Sequence, residues 1–541
     1  MKTKYINFLA IVMVAMLGLG SCVNFDDLNS DPNKSTDMDP DLLLSTIQWL
    51  PSSDWQRMHR LFIYPAGFMN QWAGAWVIVN YGGEGRKNTA YFEYLWATSY
   101  PEVIKNVVDV VERTKDDPEK INTHAIARIL KVQNFMRLTD YYGDIPYFEA
   151  GMGYFTGNLK PKYDKQEDIY ADFLKELKEA EAALDVSQPA PKYDHYYNGN
   201  IAQWKKYANS LRLRVAMRLV KVDPARAETE AKAAIQSGVF TSNSDICYLK
   251  HENLVTPGVG VGTGNAVSNL LNESATGATN GSWFWYTSDF IKPMELMNDP
   301  RIRYIAGAYL NDRNKTDVTD QVLAQRGSYA AMCCAAQAYS YDANPEYPSA
   351  ATDLDVIDAN GETVSLDMAY TRLRPSNAID AYDAPYIHMS YAEVAFLKAE
   401  VEIHWGSIGD AATYYAEGLQ AAVRQWTLFG VEVDADQADA FAANLLRTGK
   451  EDALYDINMQ LWILHFLDPL ESWANWRRSG YPEVTYYNRN PSVNTTNGQT
   501  PRRIQYPLEE QLKNAVNLQE AVDRLGGSDD WTGRVWWDKL N

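Results

Sequence analysis

Gln203-Trp204-Lys205-Lys206-Tyr207-Ala208-Asn209-Ser210-Leu211-Arg212-Leu213-Arg214-Val215-Ala216-Met217-Arg218-Leu219-Val220, followed after Lys221-Val222 by Asp223-Pro224 and a run that ends at Gly238, decides the fold class. Trp204, Tyr207, Ala208, Leu211, Val215 and Leu219 recur at three- and four-residue spacing, the period of one helix face. Asp223 can cap a second helix, Pro224 suits its first position, and Gly238 suits the position after its end. The turn between the two runs is short, so the helices are expected to lie antiparallel and adjacent. The same organisation recurs outward from this pair. Asp168 to Leu184 places Tyr170, Phe173, Leu174, Leu177, Ala180 and Leu184 on one face. Ser390 to Trp405 and Ala411 to Leu428 flank a turn bracketed by Gly406 and Gly409, and Pro101 to Arg113 with Thr123 to Thr139 make another pair. Helix pairs with tight turns and small residues at the crossings resemble tetratricopeptide hairpins, although no fixed period is visible. The expected class is mainly α: a helical-repeat scaffold of degenerate tetratricopeptide-like hairpins with a loop-rich irregular portion packed on it.

Three stretches interrupt the helical pattern, near 241–290, 305–380 and 484–506. They are rich in Gly, Ser, Asn, Asp, Thr and Tyr, and loops of that length usually carry function or pack over one face. The chain has 541 residues, 46% of them hydrophobic and 22% charged, which is ordinary globular usage. Its net charge of −20 repels phosphate backbones, so nucleic acid is not an expected partner.

The N-terminus reads as an export signal. Lys2 and Lys4 precede an apolar run from Phe8 to Leu19, too short to span a bilayer core. The run ends in Leu19-Gly20-Ser21-Cys22, the pattern of a bacterial lipobox, with small side chains before the cut and a thiol to take the diacylglycerol. Residues 1–21 are therefore expected to be a lipoprotein signal peptide, Cys22 the lipidation site, and 22–40 an acidic, turn-rich tether. Residues 41–541 follow as one domain. Several acyl chains give stable anchoring without a spanning helix. After Cys22 the cysteines Cys247, Cys333 and Cys334 remain; an odd number leaves a free thiol, and no zinc spacing is present.

The search for catalytic chemistry is mostly negative. Gly258, Gly260, Gly262 and Gly264 alternate without the Lys or the third-glycine spacing of a phosphate loop or dinucleotide fingerprint. No Gly-x-Ser-x-Gly elbow occurs, and the seven histidines show no HExxH spacing. Glu400 and His404 share a helix face, which reads as a surface pair rather than a metal site. No catalytic residue, cofactor or metal is expected. Paired carboxylates of a surface glycosidase stay open among 70 acids, as does an adaptor that binds only proteins. What stands out is aromatic. Trp72, Trp76, Tyr81, Tyr91, Phe92, Tyr94 and Trp96 crowd one segment beside Asn80, Arg86 and Asn88; Trp283-Phe284-Trp285-Tyr286 form a second cluster; Tyr329, Tyr339 and Tyr341 form a third. Flat rings beside amides and guanidinium suit sugars, and peptides nearly as well. Trp76, Tyr81, Trp283, Trp285 and Tyr286 are the ligand-binding candidates, the last three because a loop location is expected for them.

A resemblance emerges from blocks in order along the whole chain. They are Cys22 with Leu28-Asn29-Ser30-Asp31-Pro32-Asn33; Thr139-Asp140-Tyr141-Tyr142-Gly143-Asp144-Ile145-Pro146-Tyr147; Pro161-Lys162-Tyr163-Asp164; Trp204 through Arg218; Asp299-Pro300-Arg301; Ser390-Tyr391-Ala392-Glu393; Trp476-Arg477-Arg478-Ser479-Gly480-Tyr481-Pro482; Arg503-Ile504-Gln505-Tyr506-Pro507; and Val535-Trp536-Trp537-Asp538. Together they resemble the SusD/RagB family of outer-membrane nutrient-binding lipoproteins. The resemblance implies four tetratricopeptide-like units and a protein anchored by lipid at the outer membrane, facing the cell exterior. It also implies a SusC-like TonB-dependent transporter as partner, with this chain as a lid that captures an oligosaccharide or a peptide. Ligand contacts vary within the family, so the aromatic candidates rest on their own chemistry. Arg212, Arg214 and Arg218 are expected to pair with carboxylates beside the hairpins, and Trp536 and Trp537 to close the end of the fold.

Overall fold

The computed structural model describes residues 38–53, 55–74, 78–253, 264–276, 284–310, 316–329, 353–366, 372–486 and 490–540, without the side chains of 55–61 and 272–276. Cys22, Trp76, Trp283, Cys333, Cys334, Tyr339 and Tyr341 lie outside the described residues.

The architecture is mainly helical. α1 (Pro40–Ser53), α2 (Trp55–Phe68) and α3 (Thr89–Thr98) lead into α4 (Lys105–Thr114) and the long α5 (Ile121–Tyr142). Then come α6 (Gln166–Ala183), α7 (Ile201–Arg218) and α8 (Pro224–Gly238). The capping expected for α8 is present: the Asp223 side chain accepts from Arg226 N, and Pro224 occupies the first turn. Asn209 Nδ2 donates to Gly238 O at 3.2 Å while Arg212, further along α7, reaches back to Glu230, so the two helices run antiparallel. α11 (Tyr391–Trp405) and α12 (Ala411–Arg424) form a second hairpin, and α13 (Lys450–Leu464) with α14 (Pro469–Ser479) a third; α9 (Ala266–Thr276) and α10 (Ser288–Leu296) lie between. At the α11–α12 crossing a Cβ on Gly418 would stand 2.5 Å from the Phe396 ring, so only glycine lets the helices approach this closely.

Arginines tie the hairpins together. Arg212 pairs with Glu230 inside its own hairpin. Arg214 takes Glu393 of α11 through two bonds of 2.6 Å. Arg218 holds Glu471 of α14 at 2.6 and 2.7 Å and Asp140 of α5 at 3.3 Å. Arg478 holds Glu400 at 2.6 and 2.7 Å. Glu230 is partly exposed, whereas the other carboxylates meet fork-shaped donors in a water-poor interior, the geometry in which such a pair is strong. Glu400 is thus a buried partner of Arg478, with His404 3.5 Å away, rather than one half of a surface pair. Burial works against its charge and Arg478 outweighs it, which holds the carboxyl down at about 2. Trp537 is fully buried and its Nε1 donates to Asp140 Oδ1 at 3.0 Å, closing the end of the fold on the same network.

The interruptions are more ordered than their composition suggests. β1 (Trp72–Gly74) pairs with β3 (Phe284–Tyr286), β2 (Cys247–Leu249) with β6 (Tyr386–Met389), and β4 (Leu354–Ile357) with β5 (Thr363–Leu366), all antiparallel. Two of these pairs join strands more than 130 residues apart, which no local periodicity can show. The stretch 484–506 is irregular, and it docks by Thr495 N donating to Gly85 O at 3.0 Å and Asn494 Nδ2 to Glu84 O at 3.0 Å. Cys247 is a buried free thiol.

Candidate ligand-binding site

The β1–β3 pair governs the second aromatic cluster. Its register is Trp72 opposite Tyr286, Ala73 opposite Trp285 and Gly74 opposite Phe284. Side chains alternate between the faces of a strand. Trp72, Phe284 and Tyr286 therefore enter the main core, while Trp285 and Ala73 project the other way and form a small apolar cluster of their own. Trp72 and Tyr286 stack with centroids 4.4 Å apart, and Phe290 and Phe466 continue the layer. The Tyr286 hydroxyl donates to Ile305 O at 3.0 Å. Tyr286 is fully buried, and the loop location expected for it gives way to a core strand position: a ring stacked on both sides has no face for a ligand. Trp285 sits on the opposite face of that strand and is only 4% exposed, so the loop location expected for it gives way too: it is a buried strand residue packed on Ala73.

The first aromatic cluster divides in the same way. Trp72, Phe92 and Trp96 are buried. Tyr81 and Tyr91 are half-buried, meet edge to face at 4.8 Å, and stand beside the half-exposed Asn80, Glu84, Arg86 and Asn88. Tyr81 lies in a π-helical segment, Ile78–Gly83. A Cβ on Gly67 would come within 2.6 Å of the Gly82 backbone, so two glycines let this segment cross α2. Gly85 follows at φ +69°, and the Tyr486 hydroxyl and Asn494 amide crowd the space where a Cβ would stand. The result is a rigid band in which tyrosine rings, amides and an Arg86–Glu84 pair at 2.6 Å reach the surface together. That combination can stack on a sugar ring and hydrogen-bond its hydroxyls.

A cleft of about 580 Å³ opens beside the α11–α12 hairpin, lined by Thr241, Asn243, Tyr391, Glu417, Gln420 and Arg424 among others. The Tyr391 hydroxyl donates to Glu417 at 2.9 Å on its wall. Its residues are spread over almost 200 positions, so no segment of the sequence announces it. Among the described residues, no group of three His, Cys, Asp or Glu side chains is placed to hold a metal ion.

A family model described as SusD-like, starch-binding associating with outer membrane, matches residues 32–507. The chain belongs to the SusD-like family. A solved structure of a chitin-binding protein is 32% identical over 93% of this chain and 100% of its own, with a TM-score of 0.77. A SusD-like protein labelled Bacteroidetes AC2a is also 32% identical over the same shares, with a TM-score of 0.81. A chitin-binding SusD homolog from Flavobacterium johnsoniae shares the fold at 22% identity, covering 92% of this chain and 98% of its own with a TM-score of 0.68. No curated protein matches. The SusD-like family is associated with the outer membrane. Among the described residues no helix of this member is long and apolar enough to cross a membrane.

Proposed function

We propose that this chain is a lipid-anchored surface protein that captures an oligosaccharide and passes it, unaltered, to a SusC-like TonB-dependent transporter, over which it closes as a lid. The observation that carries the reading is the 32% identity, across nearly the whole chain, to a protein that binds chitin. An N-acetylglucosamine oligosaccharide is accordingly the first ligand to test. Tyr81 and Trp285 are the described members of the proposed contact set, and Trp76 and Trp283 complete it. Cys22 is the proposed anchor.

Intrinsic tryptophan fluorescence, titrated with chito-oligosaccharides and with starch- and peptide-derived ligands, tests the reading. A saturable change with chito-oligosaccharides and no shortened product supports it. Product formation, or saturation by peptides alone, contradicts it. A Cys22→Ala chain should leave the membrane fraction for the soluble periplasm; its retention in the membrane would remove the anchor from the account.

A further inference from the structure

Large hydrophobic side chains on the surface of this protein are not scattered. Fifteen of them are exposed among the described residues, and seven fall in two short segments: Phe148, Tyr154, Phe155 and Leu159 in one, Leu508, Leu512 and Val516 in the other. Tyr154 is 92% exposed, Leu159 84%, Leu512 82% and Val516 77%. Scattered apolar side chains on a surface need no explanation, but a contiguous cluster marks an interaction site.

Hydrogen bonds tie the two segments side by side. The first follows the tight turn at Gly143 and carries a single helical turn, Gly153–Thr156. The second comprises α15 (Leu508–Lys513) and α16 (Ala515–Arg524). Asn514 Nδ2 donates to Pro161 O at 2.8 Å and Asn517 Nδ2 to Lys160 O at 3.0 Å. The Tyr163 hydroxyl donates to Glu510 at 2.8 Å. Within the first segment, Leu159 lies over Gly153, where a Cβ would stand 3.1 Å from its Cδ2, and the rings of Tyr154 and Phe155 meet at 5.4 Å. Leu512 and Val516 are four residues apart. The apolar groups are thus held outward by a polar framework that leaves them in water.

Two observations choose the occupant. Segments 148–165 and 508–524 carry five cationic and six acidic side chains, with Lys513 paired to Glu509 at 2.7 Å. That balance gives no basic field for an anionic lipid surface, whereas aromatic and aliphatic side chains ringed by mixed charges suit a protein interface. The second observation is where the tether arrives. Gly151 packs on Val108 of α4, and five residues further along that helix Arg113 Nη1 donates to Met38 O at 2.8 Å. Five residues of helix span about 7.5 Å, so the face lies near the point where the anchored end joins the domain. Sixteen residues from Cys22 to Met38 reach at most about 55 Å.

We infer that the Phe148–Leu159 loop and α15–α16 together form the docking face for the membrane-embedded transporter, whose exposed rim presents a complementary apolar surface. The inference rests on the transporter reading above and deepens it by naming the surface. It places docking and ligand capture on different residues, because neither Tyr81 nor Trp285 belongs to this face.

The test is affinity capture of the tagged, lipidated chain from detergent-solubilised outer membranes, with the barrel identified by mass spectrometry. The triple variant Tyr154→Ser, Leu159→Ser, Leu512→Ser should recover about tenfold less transporter, with an unchanged melting temperature and an unchanged oligosaccharide Kd. Photo-crosslinking side chains at positions 154 and 512 should yield an adduct with the barrel, and one at Leu445, exposed elsewhere, should not. Undiminished recovery by the triple variant, or crosslinking from position 445 alone, overturns the docking face and leaves the transporter reading intact. If the unaltered chain recovers no barrel, the transporter reading falls and this inference falls with it. Binding of the unlipidated chain to phospholipid vesicles, or its self-association in solution, lost in the triple variant, would assign the face to a membrane or a second copy and overturn it as well.

Discussion

Tyr286 and Trp285 are neighbours in sequence and lie on opposite faces of β3, because a strand sends successive side chains to opposite sides. Tyr286→Ala removes a ring stacked between Trp72 and Phe290 and leaves a cavity in the main core. The expected cost is about 3–5 kcal/mol, read as a lower urea midpoint. Tyr81→Ala and Trp285→Ala should weaken oligosaccharide binding, and Tyr81→Ala, at a half-exposed ring, should move the melting temperature by only about 2 °C. Unchanged affinity in both would take the aromatic band out of the site. Legibility at this scale was uneven. The arginine pairings were readable, since several guanidinium groups on one apolar helix need carboxylate partners. The orientation of Trp285 and Tyr286 was not, because it depends on a strand partner more than 200 residues away. His388 shows the same dependence on tertiary surroundings. Burial, reinforced by Arg137, holds its imidazole neutral down to about 3.

Helix pairs were the most readable elements, since period, cap and stop are local signals. The α7–α8 and α11–α12 hairpins follow them closely, whereas the short strands depend on pairing and left no period to read. The α11–α12 crossing depends on Gly418, and Gly418→Ala should cost about 1–3 kcal/mol by forcing the Phe396 ring aside. A wild-type unfolding midpoint in this variant would contradict the close approach. The Arg478–Glu400 tie between α14 and α11 predicts an acid limb. Glu400 sits at about 2 in the fold against a usual 4.5, so its contribution is complete above 4.5 and is lost as pH falls toward 2. The neutral His388 adds a second slope: the unfolded chain takes up its proton below about 6.5 and the folded chain does not. Stability should therefore rise with pH from about 2 to 6.5. Glu400→Gln should remove the share of that slope that falls between about 2 and 4.5, a term on the order of 3 kcal/mol, and His388→Gln the share between about 3 and 6.5, which is all of the slope above 4.5. Denaturant titrations at a series of pH values would read both; parallel curves for wild type and variants would contradict the assignment.

For the whole molecule, the helical hairpins form a rigid frame, stitched by buried arginine–carboxylate ties. The frame presents two surfaces of different chemistry: a band of tyrosine, amide and guanidinium near Tyr81, and an apolar face around Tyr154 and Leu512. The proposed role of capture and delivery calls for two such surfaces, one for the ligand and one for the acceptor. The family was legible because its blocks are distributed in order from end to end, although each alone is weak. The apolar face was not, because exposure is a property of packing and its two halves lie some 350 residues apart. The central claim is that this chain binds a glycan and returns it unchanged. Calorimetric titration of the purified chain with chito-oligosaccharides, followed by chromatography of the recovered sugar, tests it most directly. The account predicts saturable binding and sugar of the original length; absence of binding across an oligosaccharide panel, or recovery of shortened chains, would contradict it.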